Sequence, residues 1–204
     1  MSPTEGQPPV IGLLGGIASG KTTVAEMLEQ LGARVVSADV VAHAVLDRSN
    51  TRDRVVARWG DEVLGDDGKI DRDELGRRVF SDTQEIAALE SITHPDIVAA
   101  LRQQIADATR SEDVMAIVVD APLLLEAELD GLCDLLVLVD CPTDIRRARA
   151  AARGWDPHEL DRREGHQQPL ELKRQRAQAV VDGNAPIETT LQQVQQLWQK
   201  TLGL

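Results

Sequence analysis

Eight consecutive residues, Gly15-Gly16-Ile17-Ala18-Ser19-Gly20-Lys21-Thr22, carry the densest chemical signal in the chain. They satisfy GxxxxGK[ST], the spacing of a loop whose main-chain N–H groups converge on phosphate oxygens at a helix N-terminus. In that chemistry the Lys21 ammonium reaches the outer phosphates of a nucleotide, and the Thr22 hydroxyl is an oxygen ligand for Mg²⁺. With Thr23 behind it, the segment is the candidate ATP-binding element. Two carboxylates belong with it. Asp39 follows Val35-Val36-Ser37-Ala38 and suits an acceptor hydroxyl or an Mg²⁺-bound water, or else the N-cap of a helix starting at Val40. Asp120 ends Ala116-Ile117-Val118-Val119 and reads either as a strand-end carboxylate supporting Mg²⁺ or as a turn residue. Arg146, Arg149 and Arg153 fall at i, i+3 and i+7 on one helical face, which either closes over a triphosphate or is solvated. His43, His94, His158 and His166 are scattered and read as structural. The loop fits a nucleotide triphosphatase or a small-molecule kinase equally well.

These groups need a frame that delivers them to one edge. Val10–Leu14 is an apolar run of strand length ending in the glycine cluster, and Val24, Ala25, Leu28 and Leu31 have helical spacing that stops at Gly32. Ala33–Ser37 reads as a second buried strand, completing a βαβ unit and hence a parallel sheet. Val114–Val119, Leu135–Val139 and, more weakly, Val180-Val181 extend the alternation, so the expected class is α/β with a doubly wound sheet. Residues 1–9 read as a disordered leader. Core segments are expected at 10–40, 110–142 and 179–204. Between them a helical substrate-side insertion spans 41–109, with helices at Val41–Leu46, Arg52–Trp59, Arg72–Phe80, Thr83–Ser91 and Pro95–Thr109. The arginine- and glutamine-rich stretch 143–178 reads as a lid.

Composition narrows the partners. The 204 residues include 34 acidic and 22 basic side chains, a net charge of −12, so the surface as a whole repels nucleic acid and anionic membrane. Aromatic residues make up 2%, too few for a stacking platform on single strands. No apolar run has the length of a membrane span, and Cys133 and Cys141 lack metal-ligand or disulfide spacing. A cytoplasmic protein with no nucleic acid, membrane or obligate protein partner is expected.

Further blocks lie along the chain: Ala38-Asp39 with His43, Gly68-Lys69-Ile70-Asp71-Arg72 with Leu75 and Phe80, and Ile92-Thr93-His94-Pro95. Pro122-Leu123-Leu124-Leu125-Glu126, Val139-Asp140, Arg149 with Arg153, and Gln167 with Pro169 follow. In this order behind the phosphate loop, they resemble the dephospho-coenzyme A kinases over residues 10–198. The resemblance implies a P-loop kinase sheet with an inserted helical coenzyme-binding subdomain and a lid. It implies transfer of the γ-phosphoryl of ATP, with Mg²⁺, to the ribose 3′-hydroxyl of dephospho-coenzyme A. Carried over, Gly15 to Thr23 with Arg149 and Arg153 bind ATP, and Lys21, Asp39 and Arg149 are catalytic. Thr22 and Asp120 hold the metal. Asp39, His94, Pro95, Leu123, Leu124 and Glu126 line the acceptor side. Four positions depart from the family pattern, one of them Gly183, which intervenes before Asn184. Ser37 replaces an aspartate, Gln178 replaces another, and Ala18 replaces a glycine, which is free of strain only if φ there is not positive. Another small-molecule P-loop kinase and a non-catalytic nucleotide-binding regulator are the rival readings.

Overall fold

The computed structural model describes residues 7–79, 82–111, 113–165 and 167–203. Its five strands are β1 (Val10–Leu14), β2 (Ala33–Ser37), β3 (Ala116–Asp120), β4 (Leu135–Asp140) and β5 (Ala179–Asp182). All pair in parallel, in the order β2-β3-β1-β4-β5. Strands buried on both faces must be apolar at nearly every position, and VIGLL, AIVVD and LLVLVD are. The helices are α1 (Lys21–Gln30), α2 (Ala38–Leu46), α3 (Ser49–Trp59), α4 (Arg72–Val79), α5 (Thr83–Thr109), α6 (Thr143–Ala152), α7 (Pro157–Gly165), α8 (Leu170–Arg176) and α9 (Ile187–Leu202).

The chain divides into two compact units, residues 38–103 and the remainder. In the sheet-bearing unit, Ile11, Leu13, Val118, Val137 and Val139 share one face with Val24 and Leu28 of α1 and Val194 and Trp198 of α9. Alternate residues Ile117, Val119 and Leu138 are equally buried. The segment after β3 covers that face at β1, where an added Cβ on Gly12 would lie 2.7 Å from Cys133 Sγ and 3.0 Å from Leu124 Cδ1. The 143–178 stretch, expected as a lid, forms α6 to α8 within this same unit.

The helical unit has its own core of Val55, Val63, Ile70, Leu75 and Val79, with Ile86, Leu89 and Ile92 of α5 against it. The Gly68–Arg72 block builds this core. Ile70 bridges to Leu64, and the Asp71 carboxylate accepts the Asp73 and Glu74 N–H groups at 3.0 Å, capping α4.

The structure corrects four expectations. Helix α5 runs unbroken through Pro95, where two helices are expected. The proline removes one hydrogen bond, but packing of Ile86, Leu89 and Ile92, and a 3.0 Å bond from Thr51 Oγ1 to Asp96 Oδ2, hold the helix across that point. Helix α2 starts at Ala38, so Asp39 sits in its first turn and is not its N-cap. Pro9, assigned to the leader, accepts the Ile117 N–H at 2.8 Å and is tied to the sheet. Ala18 has φ 60 and does adopt the left-handed conformation. Residues 1–6 of the leader, Phe80 and His166 lie outside the described residues.

Candidate active site

β1 lies at the centre of the sheet, with β3 on one side and β4 on the other, so the loop after Leu14 opens where the winding reverses direction. Ligands of open α/β sheets bind at such a point, outside the carboxyl ends of the strands. Register places Leu13 and Ser37 beside Asp120, and Asp140 beside Asp182, along that edge. The phosphate loop closes on Gly20, whose φ of 105 turns the chain into α1, leaving the first N–H groups of the helix directed at the loop.

Lys21 is buried, and its Nζ donates to the Gly15 and Gly16 carbonyls at 3.2 and 2.9 Å. It therefore arches back over the loop it belongs to, the position from which an ammonium meets terminal phosphates. Thr22 Oγ1 donates to Asp120 Oδ2 at 3.5 Å, so the two candidate metal residues are brought together. A hydroxyl and a carboxylate are the hard oxygen donors Mg²⁺ takes beside waters and phosphates, and the pair fits that ion. Thr23 is exposed on the first turn of α1.

The three arginines of the helical stripe separate. Arg146 is only 4% exposed: Nε donates to Cys141 O at 3.2 Å, Nη2 to Thr143 Oγ1 at 3.0 Å, and Nη1 to Ile17 O at 3.4 Å and to the Glu164 carboxylate. Its guanidinium stands 2.6 Å from where a Gly16 Cβ would be. Burial draws its pKa below that of a free guanidinium. Arg149 is half-buried and clamps two loops: Nη1 donates to Ala18 O and Ser19 O at 3.3 and 3.4 Å, and Nη2 to Gly183 O at 2.8 Å. Gly183 has no room for a side chain, since its Cβ would fall 2.2 Å from Ser19 O. Arg153 caps the C-terminus of α6 and is exposed.

The acceptor-side candidates also differ in setting. Asp39 is exposed in the first turn of α2, where the helix end favours its negative charge. His94 is half-buried and Pro95 exposed on α5; Leu123 is half-buried. Leu124 is a correction, because at 1% exposure it packs under the sheet and cannot line a ligand surface. The Glu126 carboxylate accepts the Gln168 N–H and lies 3.8 Å from Lys173 Nζ. Gln178 Oε1 accepts the Leu136 N–H at 2.6 Å and starts the β4–β5 ladder, a structural task.

Arg146 and Lys173 are the residues that motif reasoning left out of the site. Arg146 was visible only as one member of a stripe. Lys173 carries no motif, yet it is 2% exposed, and burial pulls its pKa down against the charge of Glu126.

Comparison with known proteins gives a consistent result. A family model described as Dephospho-CoA kinase matches residues 9–189. A dephospho-CoA kinase from Carboxydothermus hydrogenoformans is 38% identical over 194 residues, covering 94% of each chain. One from Geobacter metallireducens is 40% identical over 195 residues, covering 95% of this chain and 96% of the relative. The crystal structure of TT1252 from Thermus thermophilus superposes with a TM-score of 0.78 at 33% identity, covering 96% of this chain and 98% of that one.

Proposed function

The chain belongs to the dephospho-CoA kinase family, which phosphorylates dephospho-CoA with ATP in the last step of coenzyme A synthesis, and on that premise we propose how its residues divide the work. The acceptor is the ribose 3′-hydroxyl. A bond forms between its oxygen and the γ-phosphorus. The bond from that phosphorus to the β,γ-bridging oxygen breaks, its electron pair leaving on ADP. The hydroxyl proton passes to the Asp39 carboxylate. Such transfers run through a loose transition state, so the protein contributes positioning and charge stabilisation.

Lys21 neutralises the outer phosphates, and the N–H groups of the loop and of the start of α1 hold the rest of the chain of phosphates. Thr22 and Asp120 would hold Mg²⁺, which when bound supplies positive charge to the β- and γ-phosphate oxygens. Arg149 keeps the phosphate loop and the β5–α9 connection at a fixed distance, and Arg153 offers an exposed cation to the triphosphate. Asp39, His94 and Pro95 are the acceptor-side residues of the helical unit, and Leu123 is the acceptor-side residue of the sheet-bearing unit. Cys133 and Cys141 are free thiols, and burial with the charges of Asp130 and Asp134 pushes the Cys133 pKa up to about 12, which keeps that thiol protonated and unreactive.

The observation that carries this reading is the Lys21 arch beside the Thr22–Asp120 pair at the carboxyl edge of the sheet. A coupled assay of ADP release with and without dephospho-CoA tests it. Acceptor-dependent release is expected. Tight ATP binding without it identifies a regulator, and release with another alcohol in preference identifies a different kinase.

A further inference from the structure

Beside the phosphate loop lies a cavity of about 170 Å³, walled by Gly16, Arg146 of α6, Glu164 of α7, Gln167 and Lys173 of α8. Two of its walls are buried cations, 4% and 2% exposed. They are not equivalent. Arg146 makes four bonds, to two carbonyls, a hydroxyl and Glu164. Among the described residues Lys173 has three donors but one short bond, to Gln167 Oε1 at 2.9 Å; its charge partner Glu126 is 3.8 Å away. On the other side of that pair, Glu126 Oε2 is buried with no hydrogen-bond partner among the described residues.

A buried ion pair is tolerable when its geometry is close and the remaining donors are satisfied, and this one meets neither condition. Such a group beside a cavity that opens on the phosphate loop has a reason to be there if substrate completes its bonding. The volume is below the roughly 300–1,000 Å³ that encloses a whole drug-sized ligand, so it suits one charged group of a larger one. Glu164 and Glu126 offset the two cations, so free anions gain little on entering. A group delivered by a substrate already bound avoids that association cost.

We propose that this cavity is a subsite for the phosphoryl group in transfer, with the Lys173 ammonium donating to one of its equatorial oxygens, which makes Lys173 a further catalytic residue. The proposal rests on the phosphotransferase reading above. Lys173 takes no proton and forms no covalent bond; it neutralises charge that spreads over the phosphoryl oxygens between ADP and the acceptor.

The test compares wild type, Lys173→Met and the double variant Lys173→Met/Glu126→Leu by kinetics, melting temperature and trapping with ADP, aluminium fluoride and dephospho-CoA. Lys173→Met is expected to lower kcat roughly 10²-fold, to leave the KM for ATP within about 3-fold, and to lose trapping. Removing both charges is expected to recover the melting temperature, because no unpaired carboxylate remains, but neither turnover nor trapping. If the double variant regains turnover along with its melting temperature, Lys173 does no more than neutralise Glu126, and the subsite is wrong. A loss confined to KM for ATP overturns it too. Wild type without dephospho-CoA-dependent ADP release sinks the underlying reading, whereas an active wild type matched by Lys173→Met sinks the subsite alone.

Discussion

Arginine serves different ends around the phosphate loop and on the surface of the helical unit. Around the phosphate loop, Arg146 and Arg149 direct their donors mainly at main-chain carbonyls, those of Ile17, Ala18, Ser19, Cys141 and Gly183. In the helical unit, Arg58 pairs with Glu85 at 2.7 Å, and Arg77 and Arg78 pair with Glu74 at 2.8 Å, all on the surface. A carboxylate partner on the surface is exchangeable with water and salt, and such pairs contribute about 0.2–1 kcal/mol. A carbonyl inside a tight loop has no substitute. The first kind of arginine therefore fixes the geometry in which chemistry occurs, while the second trims the stability of a unit whose own apolar core holds it together.

The steepest test of that contrast removes the one cation of the loop itself. Lys21→Ala is expected to lower turnover by about 10³-fold or more, and steady-state ADP release measures it. Asp39 tests the helical unit, where nothing else is expected to matter this much. Asp39→Asn should keep ATP affinity but lose transfer by roughly 10²-fold, because an amide cannot accept the hydroxyl proton. Near wild-type turnover would leave that unit without a chemical role. Arg149→Ala should cost about 10–100-fold in kcat and lower the melting temperature, since both clamped loops loosen. Exposed Arg153→Ala should change turnover less and melting not at all; equal effects would erase the distinction between clamp and free cation.

Smaller effects sharpen it. Ala18→Gly should raise stability by about 1 kcal/mol by relieving a left-handed alanine, as read by denaturant midpoint, with activity retained. Arg58→Ala should cost under about 1 kcal/mol and diminish further in salt.

Much of this was legible in the sequence, and what was not has physical causes. The strand runs Val10–Leu14 and Ala33–Ser37 match β1 and β2 residue for residue, because apolar runs bounded by glycine or a chain reversal leave little choice. The phosphate loop was equally plain, since its chemistry is local. Helix α5 was not, because Pro95 is a local breaker overruled by packing contributed from other helices. The α6 stripe gave the spacing of Arg146, Arg149 and Arg153 but not their depth. The residues between them are mostly alanines, which mark no apolar face, so only the neighbouring carbonyls decide which guanidinium is buried. Lys173 was invisible for the same reason: a buried lysine in a run such as Leu170-Glu171-Leu172-Lys173-Arg174 looks like a solvated one.

The contact of Gly183 with Ser19 bears on how the enzyme comes off the ribosome. Residues 15–22 are made early, but their carbonyls meet the backbone of residue 183 and the Arg149 clamp only after β5 has been synthesised and docked. At roughly 5–20 residues per second, the loop waits about ten seconds or more for its far wall. A nascent chain stalled before β5 carries the entire glycine-rich motif and still lacks the shape that binds a nucleotide.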